Sequence, residues 1–287
     1  MKEKFKILAE LTKIRITFFV MITTGFGYIA ATDTFDSDFI FLLIGVLLLA
    51  CGSAALNHYQ ERSTDALMTR TKNRPIPSGK ISPATSLEIS VILILSGIIL
   101  IVLAGNFISA LFGILNLIWY NAIYTPLKKK TPFAIIPGSL VGAIPPIIGW
   151  TAAGGELIHP QIFMIAFFFF IWQIPHFWLL LLVLDEDYKK AGMPTLTNLF
   201  SKDQLARITF VWIMATAISS LFLPMVALVE TEIVKYLIVF SVILLSINSL
   251  KLLKYTEDNP SIKFAFRNIN FFVLFIVSII SFDKLIL

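Results

Sequence analysis

The sequence predicts an all-α, polytopic membrane protein whose nine transmembrane helices form a single bundle. Three observations carry that prediction. First, 57% of the 287 residues are hydrophobic and only 14% are charged, whereas a soluble domain carries about 25% charged residues; the mean hydropathy is +0.85. Second, the apolar residues gather into nine runs long enough to cross a bilayer. Third, lysine and arginine are divided very unevenly between the connections. Only helices or closed barrels satisfy every backbone group in lipid, and these runs are too long for barrel strands.

The runs fall at about 16–32, 39–57, 84–104, 107–125, 133–153, 161–184, 205–229, 233–253 and 266–283, with breaks marked by Gly, Pro, Asp or charge clusters. The first run follows the basic MKEKFK and has Lys13 and Arg15 at its entry. Its length and flanks suit a retained signal anchor better than a cleaved signal peptide or a transit peptide. With the N-terminus in the cytoplasm, 21 of the 23 Lys and Arg residues fall on that side, leaving Lys235 and Lys284 outside. That asymmetry is the positive-inside signature, and it would collapse if one span were missed. It places the C-terminus outside, beside short acidic connections such as that of Asp33, Asp36 and Asp38. The single cysteine, Cys51, excludes a disulfide or thiolate metal framework within one chain. No P-loop, GxGxxG, HExxH or Gly-x-Ser-x-Gly motif, internal repeat or soluble domain is present. The chain therefore reads as one integral membrane domain, 1–287.

The longest connection, about 58–83, follows the second run and opens with NHYQERSTDALMTRTKNRP. Asn57, Glu61 and Asp65 recur every fourth residue and so share a helical face. Two carboxylates and an amide on one face suit a hard cation such as Mg²⁺, whose shell substrate phosphates complete. The adjacent Arg62, Arg70, Lys72 and Arg74 suit those phosphates. The competing reading is a solvated loop, and the stretch alone does not separate the two. A second mixed cluster, Asp185, Glu186, Asp187, Tyr188, Lys189 and Lys190, follows the sixth run on the same side of the membrane. Two such clusters facing one another could share a metal–diphosphate complex.

Polar residues inside the runs are costly in lipid. In the fourth run, Asn116, Tyr120 and Tyr124 share a face, and Lys128, Lys129 and Lys130 follow directly. Interhelical hydrogen bonding would explain such residues, but the flanking lysines favour a polar cavity lining for Asn121 and Tyr124. His176 lies nine residues before Asp185, about 13 Å deeper along a helix. A buried histidine beside Pro175 can ligate a metal, move a proton or bond a freed carbonyl, and the last is the commonest. The Phe167–Phe170 run reads as lipid-facing or packing surface.

The chain resembles the UbiA-type intramembrane prenyltransferases, and within them the heme-farnesylating branch. The resemblance runs through Leu11-Thr12-Lys13-Ile14-Arg15, Asn57…Glu61-Arg62…Asp65…Met68…Arg70-Thr71…Arg74-Pro75 and Tyr124-Thr125…Lys128…Thr131. It continues through Gly142-Ala143-Ile144-Pro145-Pro146…Gly149-Trp150, Trp172-Gln173-Ile174-Pro175-His176-Phe177 and Asp187-Tyr188-Lys189-Lys190-Ala191-Gly192-Met193-Pro194. The last two strings look specific to the heme branch. The sequence departs from the usual Lys-Pro-Arg at Ile14, carries Glu61 where Asp is commoner, and has Ala191 where a second acid would complete the later motif.

The resemblance implies a nine-helix bundle around a central cavity open to the cytoplasmic side. It also implies Mg²⁺-dependent joining of farnesyl diphosphate to heme b, giving heme O and diphosphate. It assigns Asn57, Glu61, Asp65 and Asp187 to the metal and to catalysis, and Arg15, Arg70, Arg74, Lys128, Lys189 and Lys190 to the diphosphate. It points to His176, Tyr124 and Asn121 for the heme. The partners implied are the lipid bilayer and the two substrates, with no nucleic acid; a downstream heme A synthase is a further possible one. The location implied is the cell membrane. A quinone-pathway enzyme that prenylates an aromatic ring is the nearest alternative, and a heme or lipid transporter is an alternative of another class.

Overall fold

A computed structural model of the chain describes residues 2–32, 34–254 and 261–286; Asp33 and part of the eighth connection, 255–260, lie outside the described residues. Among the described residues, nine helices are long and apolar enough to cross a membrane. They are Ile14–Ala31, Ser37–Leu67, Pro83–Ala104, Phe107–Leu127, Pro132–Ala152, Pro160–Lys190, Lys202–Met225, Glu232–Leu253 and Ile262–Ile286, spans 1 to 9 below. A short helix, Lys2–Leu11, precedes them and buries Leu11 against Ala55 and Ile76.

Local chemistry fixes the ends. The Asp36 carboxylate accepts from the amides of Asp38 and Phe39 to start span 2. Ser82, followed by Pro83, starts span 3. Reciprocal capping boxes, Asn106 with Ser109 and Ser201 with Gln204, start spans 4 and 7. Each satisfies amides that a helix start leaves without partners. Pro145, Pro146, Pro175 and Pro224 all lie within helices, as a packed bundle permits.

Spans 2 and 6 are each 31 residues long. At helical rise each reaches about 46 Å, against about 30 Å of hydrocarbon. Their last turns overshoot and carry the acidic motifs. The expected connection 58–83 is thus helix as far as Leu67, and only its remainder is loop.

Helices approach closely where small residues face each other. Gly27 of span 1 lies on the backbone of Pro146, and Gly149 of span 5 on the backbone of Thr24; a Cβ on either would overlap the partner chain. Spans 2 and 3 meet similarly through Gly45, Gly52 and Gly97. The main core joins Phe26, Phe168, Phe169 and Trp172 to Ile213, Ile269 and Ile276. The phenylalanine run is therefore divided: Phe168 and Phe169 are fully buried, and Phe167 is exposed. Exposed Ile92, Ile99, Phe240 and Ile247 give spans 3 and 8 their apolar outer faces.

Candidate functional site

One large cavity, about 560 Å³, lies within the bundle, walled by spans 1, 2, 4, 5, 6 and 9. Its depth is apolar, lined by Phe19, Val20, Leu49, Leu117 and Ile148. Charge gathers at one end, where Lys13, Glu61, Asp65, Arg70, Arg74 and Lys128 line it.

The four-residue spacing puts Asn57, Glu61 and Asp65 on one side of span 2, with Glu61 and Asp65 lining the cavity. Asn57, Glu61 and Asp65 are all buried, and each has a cationic partner from another segment. Lys128 Nζ lies 2.6 Å from Glu61 Oε1. Arg74 Nη1 lies 2.8 Å from both oxygens of Asp65. Lys13 Nζ donates to Asn57 Oδ1 at 2.6 Å, while Asn57 Nδ2 donates to Thr125. Buried charges need such partners. Burial pulls the Lys13 ammonium down, as does the nearby Arg74 guanidinium, to about 7. Burial opposes charge on Lys128 most, but the Glu61 carboxylate, Tyr124, Tyr188 and the hydrogen bond to Glu61 together hold this lysine above its usual range.

The two acidic motifs meet. Asp187, near the end of span 6, accepts from the amides of Thr69 and Arg70, just after span 2. Lys190 donates to Thr69 Oγ1. Lys189 pairs with Asp185 at 2.6 Å, and Asp185 also accepts from Thr197. Asp187, Lys189 and Lys190 thus border the charged end without lining the cavity, which Tyr188 does line. Arg15 and Arg70 line the rim with exposed side chains.

Span 4 changes winding. Trp119–Tyr124 is a π-helical segment, a feature frequent at functional sites. It stacks Tyr120 on Tyr124 at 5.9 Å, and both line the cavity. Asn121 turns the other way: Oδ1 accepts from Ser53 Oγ at 2.6 Å, and Nδ2 donates to the Ser53 carbonyl and to Gln60 Oε1. Asn121, expected to face an acceptor, instead ties span 4 to span 2 and does not line the cavity. Tyr124 does, with Lys128 Nζ 5.5 Å from its ring centroid.

Deeper in the cavity stand Trp172, Gln173 and His176 of span 6 and Asn270 of span 9. Gln173 Oε1, Trp172 Nε1 and Asn116 Oδ1 are buried and make no hydrogen bond. Unsatisfied buried polar atoms are uncommon, and three on residues that line one cavity, from spans 4 and 6, suit the polar groups of a ligand. Lys13 and Asn270 are site residues that sequence reasoning did not select. Lys13 stood in the motif, but its left-handed backbone, φ 50°, breaks the helix and separates it from Arg15. Asn270 carried no signal beyond being an amide in an apolar run.

Among the described residues no group of three His, Cys, Asp or Glu side chains is arranged to hold a metal. The charged end offers the carboxylates of Glu61 and Asp65 instead, while Asn57, its Oδ1 taken by Lys13, lies behind the lining and does not border the cavity. The carboxylate pair fits Mg²⁺, which takes few protein ligands and shares phosphate oxygens.

The chain matches the UbiA prenyltransferase family over residues 19–276. It is 37% identical to the protoheme IX farnesyltransferase of Geobacter sulfurreducens, covering 77% of this chain and 82% of that one. It is 30% identical to the protoheme IX farnesyltransferase of Oleidesulfovibrio alaskensis, covering 97% and 96%. Among solved structures, a digeranylgeranylglyceryl phosphate synthase superposes with TM-score 0.79 at 18% identity, over 99% of this chain and all of the other. A UbiA homolog from Archaeoglobus fulgidus bound to GPP and Mg²⁺ superposes with TM-score 0.74 at 15% identity, over 98% and 100%.

Proposed function

The chain belongs to the UbiA prenyltransferase family, and we propose that it transfers the farnesyl group of farnesyl diphosphate to a vinyl group of heme b, giving heme O and diphosphate. The observation that carries the prenyl-transfer reading is the set of buried acid–base pairs, Glu61–Lys128 and Asp65–Arg74, at one end of an otherwise apolar cavity. Farnesyl diphosphate has that polarity, with a charged head and a hydrocarbon tail. The choice of heme as acceptor rests on His176 in the cavity wall and on the relatives named protoheme IX farnesyltransferase.

Glu61 and Asp65 would hold Mg²⁺. Asp187 does not line the cavity, and in the present arrangement it draws the two motifs together through the Thr69 and Arg70 amides. When bound, the metal supplies Lewis-acid stabilisation of the charge that develops on the leaving diphosphate. Lys128 and Arg74, exchanged from their carboxylates, turn to the phosphate oxygens, with Lys13 beside them and Arg15 and Arg70 at the rim. Lys189 and Lys190 add positive potential around the opening. These cations stabilise the diphosphate as the allylic C–O bond breaks and its electron pair departs. The apolar wall keeps water from the allyl cation. The vinyl π electrons then form the new C–C bond, and one water captures the resulting porphyrin-side cation and loses a proton. By the positive-inside rule the charged end faces the cytoplasm, and the family relationship points to the cell membrane.

The test is an incubation of membranes holding this chain with labelled farnesyl diphosphate, Mg²⁺ and either heme b or a hydroxybenzoate. Label entering heme, with diphosphate released only when Mg²⁺ is present, is the expected result. Label entering the hydroxybenzoate instead would move the chain to the quinone branch, and no release of diphosphate would remove the enzymatic reading.

A further inference from the structure

Asn270 joins spans 6 and 9 through two short hydrogen bonds. Its Nδ2 donates to the Phe266 carbonyl at 2.7 Å, and its Oδ1 lies 2.7 Å from His176 Nδ1. Amide orientation is ordinarily an assignment from the surrounding network, but here the network leaves one choice. Flipping the amide would set Oδ1 against the Phe266 carbonyl, oxygen to oxygen. With Oδ1 held toward the imidazole, Nδ1 must carry the proton, because an amide oxygen only accepts. The other ring nitrogen, Nε2, then has a free lone pair, and His176 lines the cavity.

We infer that Asn270 is a positioning residue that locks His176 in its Nδ1–H tautomer and so presents the Nε2 lone pair to an electron-pair acceptor in the cavity, the iron of a porphyrin. The identity of the acceptor rests on the heme reading above; the tautomer does not. The surroundings favour coordination over proton transfer. Trp172, Phe266 and Phe177 ring the imidazole at centroid distances of 5.0, 5.0 and 5.6 Å. A proton on Nε2 would create a buried cation with no carboxylate partner in that ring of aromatics, whereas a neutral imidazole bound to iron keeps the site uncharged. A histidine ligand held by a hydrogen bond on its far nitrogen is a general arrangement in metal sites. Span 9, remote in sequence from both acidic motifs, is thereby given a role in acceptor binding.

The chain has three histidines, so nitrogen-15 NMR of histidine-labelled full-length protein in lipid resolves the question, with H176Q assigning the signal. The native protein should show His176 protonated at Nδ1. Asn270→Leu, which removes the acceptor, should shift it to the Nε2–H tautomer. In parallel titrations with ferric heme b, Asn270→Leu should weaken binding roughly 10–100-fold with loss of the histidine-ligand absorption signature. Native protein with Nε2 protonated, or Asn270→Leu leaving the tautomer unchanged, overturns the inference. A tautomer that responds as stated while H176Q leaves heme affinity and spectrum untouched overturns the iron assignment alone.

Discussion

Asp187 accepts hydrogen bonds from the backbone amides of Thr69 and Arg70, at 3.1 and 3.0 Å, across 118 and 117 residues of sequence. One carboxylate near the end of span 6 therefore fixes the course of the chain leaving span 2. Asp187→Ala should raise the susceptibility of the 68–82 connection to protease and lower kcat/KM for farnesyl diphosphate about tenfold, a loss of about 1.4 kcal/mol. Hydrogen bonds to a charged group are worth about that or somewhat more. Native cleavage kinetics and native turnover together would refute the role.

Asp65 is held on both oxygens by Arg74. Asp65→Asn should lower kcat by a factor of roughly 10²–10³, as loss of one transition-state electrostatic contact does, while folded protein still accumulates in the membrane. Retained activity would remove Asp65 from the mechanism.

Lys128→Met leaves Glu61 buried without its ion-pair partner. Removing one member of a buried pair costs about 3–5 kcal/mol. The variant should melt below the native protein without metal and recover more than the native protein when Mg²⁺ is added, since the cation binds only the folded site. Thermal unfolding in detergent with Mg²⁺ and with chelator reads this directly. Equal metal responses in the two proteins would place the cation elsewhere.

Gly149→Ala tests the frame that carries the site. Its Cβ would overlap the Thr24 backbone, so spans 1 and 5 must separate. The cost should be at least about 1–3 kcal/mol, the usual range for overpacking, and should appear as a lowered melting temperature and reduced yield from the membrane. A native melting temperature would show that the two spans slip freely.

His176→Ala should abolish the histidine signature in the absorption spectrum of added heme b and reduce turnover. An unchanged spectrum with unchanged turnover would leave His176 as a packing residue.

Much of this was readable in the residues. Hydropathy and charge asymmetry located nine spans because lipid forces both patterns onto a chain. The 3.6-residue period put Asn57, Glu61 and Asp65 on one face, and they share it. What escaped had physical reasons. Spans 2 and 6 run past their apolar stretches, and a helix in water has no hydropathy signal to mark its end. Asn121 was misplaced because it stands about 100° around the helix from the face of Asn116, Tyr120 and Tyr124, and so meets Ser53 of span 2 instead. Lys13 was passed over for Arg15 because the positive φ between two helices is invisible in a motif. Asn270 acts only through a partner 94 residues away, and no local pattern encodes such a pair.

The size of the enclosure has one more consequence. Cavities of roughly 300–1,000 Å³ accommodate a single drug-sized ligand, and this one measures about 560 Å³. A porphyrin and a sesquiterpene chain are two guests. On the proposed function the hydrocarbon end is expected to extend past this volume toward the surrounding acyl chains, with the bilayer as the last wall of the reaction vessel. Acyl length and order then become kinetic variables, and turnover should respond to a change of lipid with every residue left in place.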